Sequence, residues 1–140
     1  MLIPVDARYL RSEWGYVRAG LEKIIDKTSD DWIPEDVYHE IKAGTTGLFL
    51  LEYGGERIGF ACLQIWPAYH AGPRLFIRAF WADPHAAVKH RADIYDDLKA
   101  FAREAGCVGP GAMRQNSPRR WDADGWRLKQ HIYEMDVEAL

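Results

Sequence analysis

The sequence predicts a mixed α+β domain built around one mainly antiparallel sheet. Three observations indicate it: apolar residues at helical spacing near the start, two strand-like runs around a Gly-Gly pair, and a third strand-like run that leads into another helical pattern. In chain order the elements are α-α-β-β-β-α-β-α-β. The 140 residues are enough for one hydrophobic core, so we expect a single domain over residues 1–140.

Two helices are predicted first. Leu10 to Lys27 has apolar residues at positions 10, 14, 17, 21, 24 and 25, which places them on one helical face. Cap residues follow at 29–31, and Pro34 suits the first turn of a helix. We therefore expect the second helix to run from Pro34 to Lys42 and to end before Gly44.

Three strands are predicted next. Gly47 to Tyr53 and Arg57 to Trp66 flank Gly54–Gly55, and two strand-like runs around a two-residue glycine turn indicate a β-hairpin. A loop with proline at each end, residues 67–73, leads into Arg74 to Ala82. That run is rich in aromatic and β-branched residues, so it is predicted to be the third strand.

Four elements are predicted in the last third of the chain. Ile94 to Ala105 has one apolar helical face and stops at Gly106. Cys107 to Met113 is expected to be a short, irregular strand because of its Gly-Pro-Gly. A short helix is predicted over residues 117–124, and Trp126 to Val137 is predicted to be the last strand.

Composition excludes several classes of function. The formal net charge of -3 gives no whole-protein reason to expect a nucleic-acid partner. No apolar run approaches the roughly 20 residues of a membrane helix, and the first 20 residues do not resemble a signal peptide, so we expect a cytoplasmic protein. His85 and His90 are five residues apart and do not share a helix face, so no metal site is expected. Cys62 and Cys107 are interpreted as buried thiols.

Residues 82–94, where the third strand gives way to a helix, admit two interpretations. Such junctions often bind phosphate on a helix N-terminus, usually with glycines, but this one has none. Lys89 to Arg91 could bind an anion by charge instead. Alternatively, Asp83 caps a helix that begins at Pro84, or Asp93 caps a later start with its carboxylate in the place of an anion. We favour the capping interpretations.

Four segments in this order resemble one known family. They are ERIGFACLQI at 56–65, FWADP at 80–84, FAREAGC at 101–107 and GWRLKQHIYEMDV at 125–137. Together with the two leading helices, they resemble the GNAT (Gcn5-related N-acetyltransferase) superfamily over residues 9 to 137. The resemblance implies a GNAT-like α+β fold and, in active members, acetyl transfer from acetyl-CoA.

The resemblance fails at the residues that would carry the chemistry. The family's cofactor loop has the pattern Q/R-x-x-G-x-G/A, and its glycine positions fall near Ala87, Lys89 and Arg91. The family's acid tyrosine corresponds to Trp121, which has no ionisable hydroxyl. No acidic residue stands on the strand that usually supplies the base. The resemblance therefore leaves open whether this chain is an enzyme.

Our leading hypothesis is a non-catalytic GNAT-like protein that acts as an interaction or assembly module without a cofactor. The length and the degenerate pattern resemble those of small acetyltransferase-like proteins encoded by bacteriophages and prophages, some of which act in the virion or its assembly. We expect a protein partner or self-assembly, with no membrane or nucleic acid. The expected interaction residues lie in the proline-bounded loop and the later arginine-rich segment: Trp66, Tyr69, His70, Arg74 and Trp121.

The competing hypothesis is an active, acetyl-CoA-dependent N-acyltransferase with a non-standard loop. In it, Phe80, Trp81 and Ala82 pair with the pantetheine, and Lys89, His90 and Arg91 meet the phosphates. Glu52 is then a relocated base and Tyr133 a relocated acid. The alternative for these two is a solvated hairpin carboxylate and an ordinary strand tyrosine. A small-molecule binding domain is not separable from the first hypothesis by sequence.

Overall fold

A computed structural model describes residues 1–28, 31–68, 70–113, 124–129, 133 and 135–137. Its elements, in chain order, are β1 (Leu2–Val5), a 3-10 turn (Ala7–Tyr9), α1 (Leu10–Asp26), α2 (Pro34–Lys42), β2 (Gly47–Tyr53), β3 (Glu56–Trp66), β4 (Arg74–Ala82), α3 (Pro84–Lys89), α4 (Arg91–Glu104) and β5 (Pro110–Ala112).

The five strands form one sheet in the order β1-β2-β3-β4-β5. The first four are antiparallel, and β5 runs parallel to β4. Gly54 and Gly55 both have positive φ in the β2–β3 turn, as the predicted hairpin requires. The predicted α+β fold with a mainly antiparallel sheet is confirmed.

β1 was not predicted from the sequence. It has only four residues, one of them Pro4, and it pairs with β2 from Leu2↔Leu51 to Val5↔Leu48. Proline is tolerated in such a strand because an edge position leaves one side without ladder hydrogen bonds. A run this short does not show the alternation by which a strand is recognised.

The predicted last strand, Trp126 to Val137, is wrong for the described residues. Residues 126–129, 133, 135 and 136 are not in a strand, and 137 is in a 3-10 turn. Leu128, Tyr133 and Val137 are 67 to 87 % exposed. The register of a strand is fixed by burial of one of its faces, and these side chains form no buried face. The helix predicted at 117–124 lies outside the described residues except Asp124, which is in a turn.

Helical structure after β4 begins ten residues earlier than the predicted Ile94. The Asp83 carboxylate accepts a hydrogen bond from the Ala86 N–H at 3.1 Å, and Pro84 is the first residue of α3. The prediction that Asp83 caps this helix is confirmed. The alternative start at Asp93 is wrong, because α4 has already begun at Arg91.

The sheet is a middle layer with helices on both faces. One core cluster lies between the sheet and α1 and α2, and it includes Leu21, Val37 and Phe60. The other lies between the sheet and α4, and it includes Leu63 and Leu98. None of the helices in the described part of the chain is long and apolar enough to cross a membrane.

β4 contains one extra residue relative to β3. Cys62 lies opposite Ala79, but Leu63 lies opposite Ile77, so Arg78 has no opposite residue. The bulge changes which positions face which side. Ile77 packs on the α4 side and Ala79 packs on the α1 and α2 side, although regular alternation would place both on one face.

Candidate functional site

The connection from β4 to α4 is helical rather than an open loop. Asp83 caps α3, α3 ends at Lys89, and only His90 separates it from α4. The His90 N–H donates to the Ala86 carbonyl, and the His90 carbonyl accepts from the Ile94 N–H, each at 2.9 Å. Most of the segment that resembles the GNAT cofactor loop is therefore folded into helix.

The three cations predicted for an anion site have different surroundings. Lys89 is exposed in the last turn of α3. The His90 ring stacks on Tyr53 with ring centroids 5.4 Å apart. Arg91 forms an ion pair with Asp124, and this hydrogen bond raises the pKa of Arg91. The cation nearest the start of α4 therefore already has a carboxylate beside it.

The Asp124 carboxylate is bound by more than Arg91. The Tyr95 hydroxyl donates to it at 3.1 Å, and the Trp126 indole N–H donates to the Tyr95 hydroxyl at 3.1 Å. Asp124 therefore supplies within the chain the kind of charge that a bound phosphate would bring.

The residues predicted to pair with pantetheine lie at the C-terminal end of β4. Phe80, Trp81 and Ala82 pair with β3 on one side. On the other side, pairing with β5 ends at Ile77↔Ala112, and no strand of the described residues lies beside 78–82. Trp81 packs in the α1 and α2 cluster, whereas Phe80 and Ala82 pack on the α4 side. An open backbone edge is thus present, without a shared side-chain pocket.

The two candidate acid–base residues lie in solvent. Glu52 is exposed near the β2–β3 turn, and its backbone N–H and carbonyl are hydrogen-bonded to Met1. Tyr133 is 87 % exposed and lies in the C-terminal segment rather than in a strand. The roles of Glu52 and Tyr133 in acyl transfer stay predictions.

Burial raises the pKa of Cys62 to about 12, so this thiol is no nucleophile at neutral pH.

Two of the predicted interaction residues are brought together by the β3–β4 register. Trp66 lies opposite Arg74 and is 42 % exposed; its ring stacks on Phe76 with centroids 3.7 Å apart. His70 is exposed in the following loop. Ile65, beside Trp66, is 56 % exposed. Tyr69 and Trp121 lie outside the described residues. We name Ile65, Trp66 and His70 the β3 tip.

Sequence reasoning missed a polar cluster on the α1 and α2 face of the sheet. The Glu40 carboxylate accepts from Arg78 at 3.0 and 3.2 Å and from Gln64 at 2.9 Å. The Arg78 guanidinium also lies over the Trp32 ring, 4.7 Å from its centroid. The bulge at Arg78 places this side chain toward α2. No pattern in the sequence indicates that bulge.

Comparison with known proteins gives a structural answer only. No protein-family model matches the chain, and no curated protein matches its sequence. Solved structures do match over nearly the whole length. A GCN5-related N-acetyltransferase from Ralstonia eutropha is 14% identical, with a TM-score of 0.66 and 98% of each chain covered.

Two further matches have the same architecture. A predicted acetyltransferase from Clostridium acetobutylicum, solved with acetyl-CoA, is 12% identical, with a TM-score of 0.66 over 99% of this chain and 96% of that chain. An integron cassette protein from V. cholerae is 13% identical, with a TM-score of 0.67 over 99% and 93%. At this identity the likeness concerns the backbone and not the site residues. The chain therefore has the fold of the GNAT N-acetyltransferases.

Proposed function

We propose that this chain is a non-catalytic GNAT-fold protein that uses the fold as an interaction or assembly module. The observation that carries the proposal is the β4–α4 connection. It is an Asp83-capped helix, and the Arg91 side chain behind it is paired with Asp124. A backbone phosphate site needs exposed N–H groups and close approach, which glycine permits and this segment lacks.

The β3 tip supports an interaction role. Ile65 and Trp66 are exposed although they are the last two residues of the well-packed strand β3, and aromatic residues are enriched at protein interfaces. The Trp66 indole N–H donates to Gln64 at 2.8 Å, and its ring stacks on Phe76, so the exposed ring is fixed in place. A rigid aromatic side chain loses little entropy on binding. The partner is a protein or a second copy of this chain, as in a phage virion or its assembly.

Cofactor binding is tested by calorimetric titration with acetyl-CoA and desulfo-CoA. We expect no heat of binding at the β4–α4 connection up to millimolar ligand. Micromolar binding that is weakened by Lys89→Gln would overturn the proposal, because it would show that the connection still holds phosphate. Circular dichroism of the variant confirms that its fold is unchanged.

The interaction role is tested by light scattering and by purification of associated proteins from the native source. Trp66→Ser is expected to lower the assembled mass or to release the partner. Tyr9→Ser is the matched control. Tyr9 is 62 % exposed in the 3-10 turn, so its substitution removes a comparable aromatic surface at another place. A strict monomer with no associated protein, for the wild type, contradicts the proposal.

A second candidate function is acetyl-CoA-dependent N-acyl transfer. It is favoured by the backbone edge at 78–82, which lacks a strand partner among the described residues. Proximity alone contributes much of the rate of an acyl transfer, so a missing acid does not prevent slow turnover. Release of free CoA in the presence of amine acceptors, abolished in a variant with Ala82→Pro, would support this candidate.

A further inference from the structure

A groove beside α4 has a charge pattern that the proposed function does not use. It encloses about 350 Å³ between α4, the segment from Cys107 to Pro110 and the turn at Asp124 to Trp126. Three cationic side chains line it: Arg74, Lys99 and Arg103. We propose that this groove binds a small aromatic phosphate ester of the nucleoside monophosphate class.

The three cations come from two elements, and the Asp124 carboxylate lines the same groove. Lys99 and Arg103 are one turn apart on α4, and Arg74 is the first residue of β4. Among the described residues, none of their side chains has a hydrogen bond or an ion pair. Like charges four residues apart on a helix repel each other, so an anion held between them relieves that repulsion. In a chain of net charge -3, such a group favours an anionic ligand.

The Arg74 guanidinium lies against the main chain at Gly109. The side chain is half-buried, and a Cβ at Gly109 would lie 2.9 Å from the Arg74 Nη1. Glycine at this position therefore leaves space for the guanidinium against the main chain. A planar guanidinium is suited to phosphate, because it donates two parallel hydrogen bonds.

The other end of the groove is aromatic. The rings of Tyr95 and Trp126 have centroids 6.4 Å apart, and Asp124 lies beside them. A flat heterocycle can stack on these rings, and its amino group can donate a hydrogen bond to the Asp124 carboxylate. The same carboxylate repels a phosphate group. These groups orient the ligand with its ring near Tyr95 and its phosphate near Arg103.

The spacing of the two ends fits such a ligand. Tyr95 and Arg103 are eight residues apart on α4, which is about 12 Å along a helix. The volume is at the small end of ligand pockets. The phosphate end lies at the C-terminal end of α4, whereas the β4–α4 connection lies at its N-terminal end. The groove is therefore separate from that connection.

The test uses AMP as the probe in calorimetry at low salt, with adenosine and inorganic phosphate as partial probes. We expect sub-millimolar binding of AMP and weaker binding of each partial probe. Lys99→Gln/Arg103→Gln should weaken AMP binding by at least about tenfold, because two charge-assisted contacts are lost. Both side chains are exposed, so the variant is expected to fold.

Two matched controls locate the site. Lys89→Gln and Arg11→Gln each remove an exposed cation from elsewhere and should leave AMP binding unchanged. Absence of AMP binding at millimolar concentration overturns the proposal, as does equal loss in Lys89→Gln. Inorganic phosphate binding as tightly as AMP also overturns it, because the aromatic end would then have no role.

Cys107 lines the groove and gives a second measurement. AMP should slow alkylation of Cys107 by iodoacetamide, and adenosine should slow it less; no protection at saturating AMP would contradict the proposed location. Acetyl-CoA also contains an adenine nucleotide. Acetyl-CoA binding that survives Lys99→Gln/Arg103→Gln belongs to the β4–α4 connection and counts against the proposed function, whereas binding that this variant abolishes belongs to the groove.

Discussion

The side chain of Cys62 lies wholly inside the layer between the sheet and the first two helices, while Cys107 lies half-exposed after α4. Burial in apolar surroundings disfavours the thiolate and raises the pKa of Cys62 to about 12. The interpretation of both cysteines as buried thiols is therefore confirmed for Cys62 and wrong for Cys107.

We predict that Cys107 alone reacts with Ellman's reagent in the native protein at pH 8. Cys62 should react only after unfolding in guanidinium, because the reactive thiolate is suppressed and shielded. The stoichiometry should therefore be one thiol per chain before denaturation and two after it. Cys107→Ser is the control, and fast native labelling of that variant would contradict the prediction.

A second prediction at the scale of residues concerns Glu40. Glu40 forms an ion pair with Arg78, and the two side chains are only 25 % and 19 % exposed, respectively. The same carboxylate accepts a hydrogen bond from Gln64. Glu40→Ala leaves these donors unpaired in a half-buried site, so we expect a loss of about 1–3 kcal/mol in the free energy of unfolding.

Glu35 provides the comparison for that change. Glu35 forms an ion pair with Arg18, and the two side chains are 53 % and 41 % exposed, respectively. Exposed pairs of this kind contribute about 0–1 kcal/mol to the free energy of unfolding. Glu35→Ala should therefore change the urea midpoint much less than Glu40→Ala. Equal midpoints for the two variants would show that the Glu40 cluster adds no stability.

At the scale of elements, α1 packs closely on the sheet through Gly20. A Cβ at this position would lie 2.8 Å from the Cζ of Phe60, a fully buried ring. Gly15, on the same helix, has nothing within 4 Å of such a Cβ. One helix thus contains a glycine that packing requires and one that it does not.

We predict opposite effects of alanine at these two positions. Gly20→Ala should destabilise the fold by about 1–3 kcal/mol, because overpacking shifts α1 or Phe60. Gly15→Ala should stabilise it by up to about 1 kcal/mol through helix propensity. Thermal unfolding followed by circular dichroism measures both, and a stabilising Gly20→Ala would contradict the close packing.

Local signals predicted the elements that have them. Gly54–Gly55 predicted the hairpin, and Asp83–Pro84 predicted the capped helix, because each depends on a backbone preference of the residues themselves. β1 and the Arg91–Asp124 ion pair depend instead on segments distant in sequence, so no local pattern shows them. The predicted strand over Trp126 to Val137 has no partner strand among the described residues.

At the scale of the whole molecule, Asp97 links the helix layer to the sheet. Its carboxylate accepts from the Tyr53 hydroxyl at 2.5 Å and lies 3.0 Å from the amino terminus. Burial alone would raise the pKa of Asp97, but the Tyr53 hydrogen bond and the nearby amino group outweigh it and lower that pKa. Burial of the Tyr53 hydroxyl and its hydrogen bond to Asp97 raise the pKa of Tyr53.

We therefore predict an acid-dependent contribution of Asp97 to stability. A carboxyl with a lowered pKa in the folded state contributes stability above its ordinary pKa of about 4, and this is lost as the pH falls through the folded value. Asp97→Asn should be less stable than the wild type at pH 7, and the difference should shrink toward pH 3. A constant difference across that range would show that the carboxylate's charge does not matter.

The extra residue in β4 has a consequence for how this sequence encodes its two interiors. Before Arg78, the odd-numbered residues of β4 face α4; after it, the odd-numbered residues face α1 and α2. Removing Arg78 would exchange the two faces of the sheet for the β4 residues that follow it, so that Trp81 would turn to the α4 side and Ala82 to the α1 and α2 side. The partition of the apolar residues of β4 between the two cores thus depends on the number of residues in the strand as well as on their type.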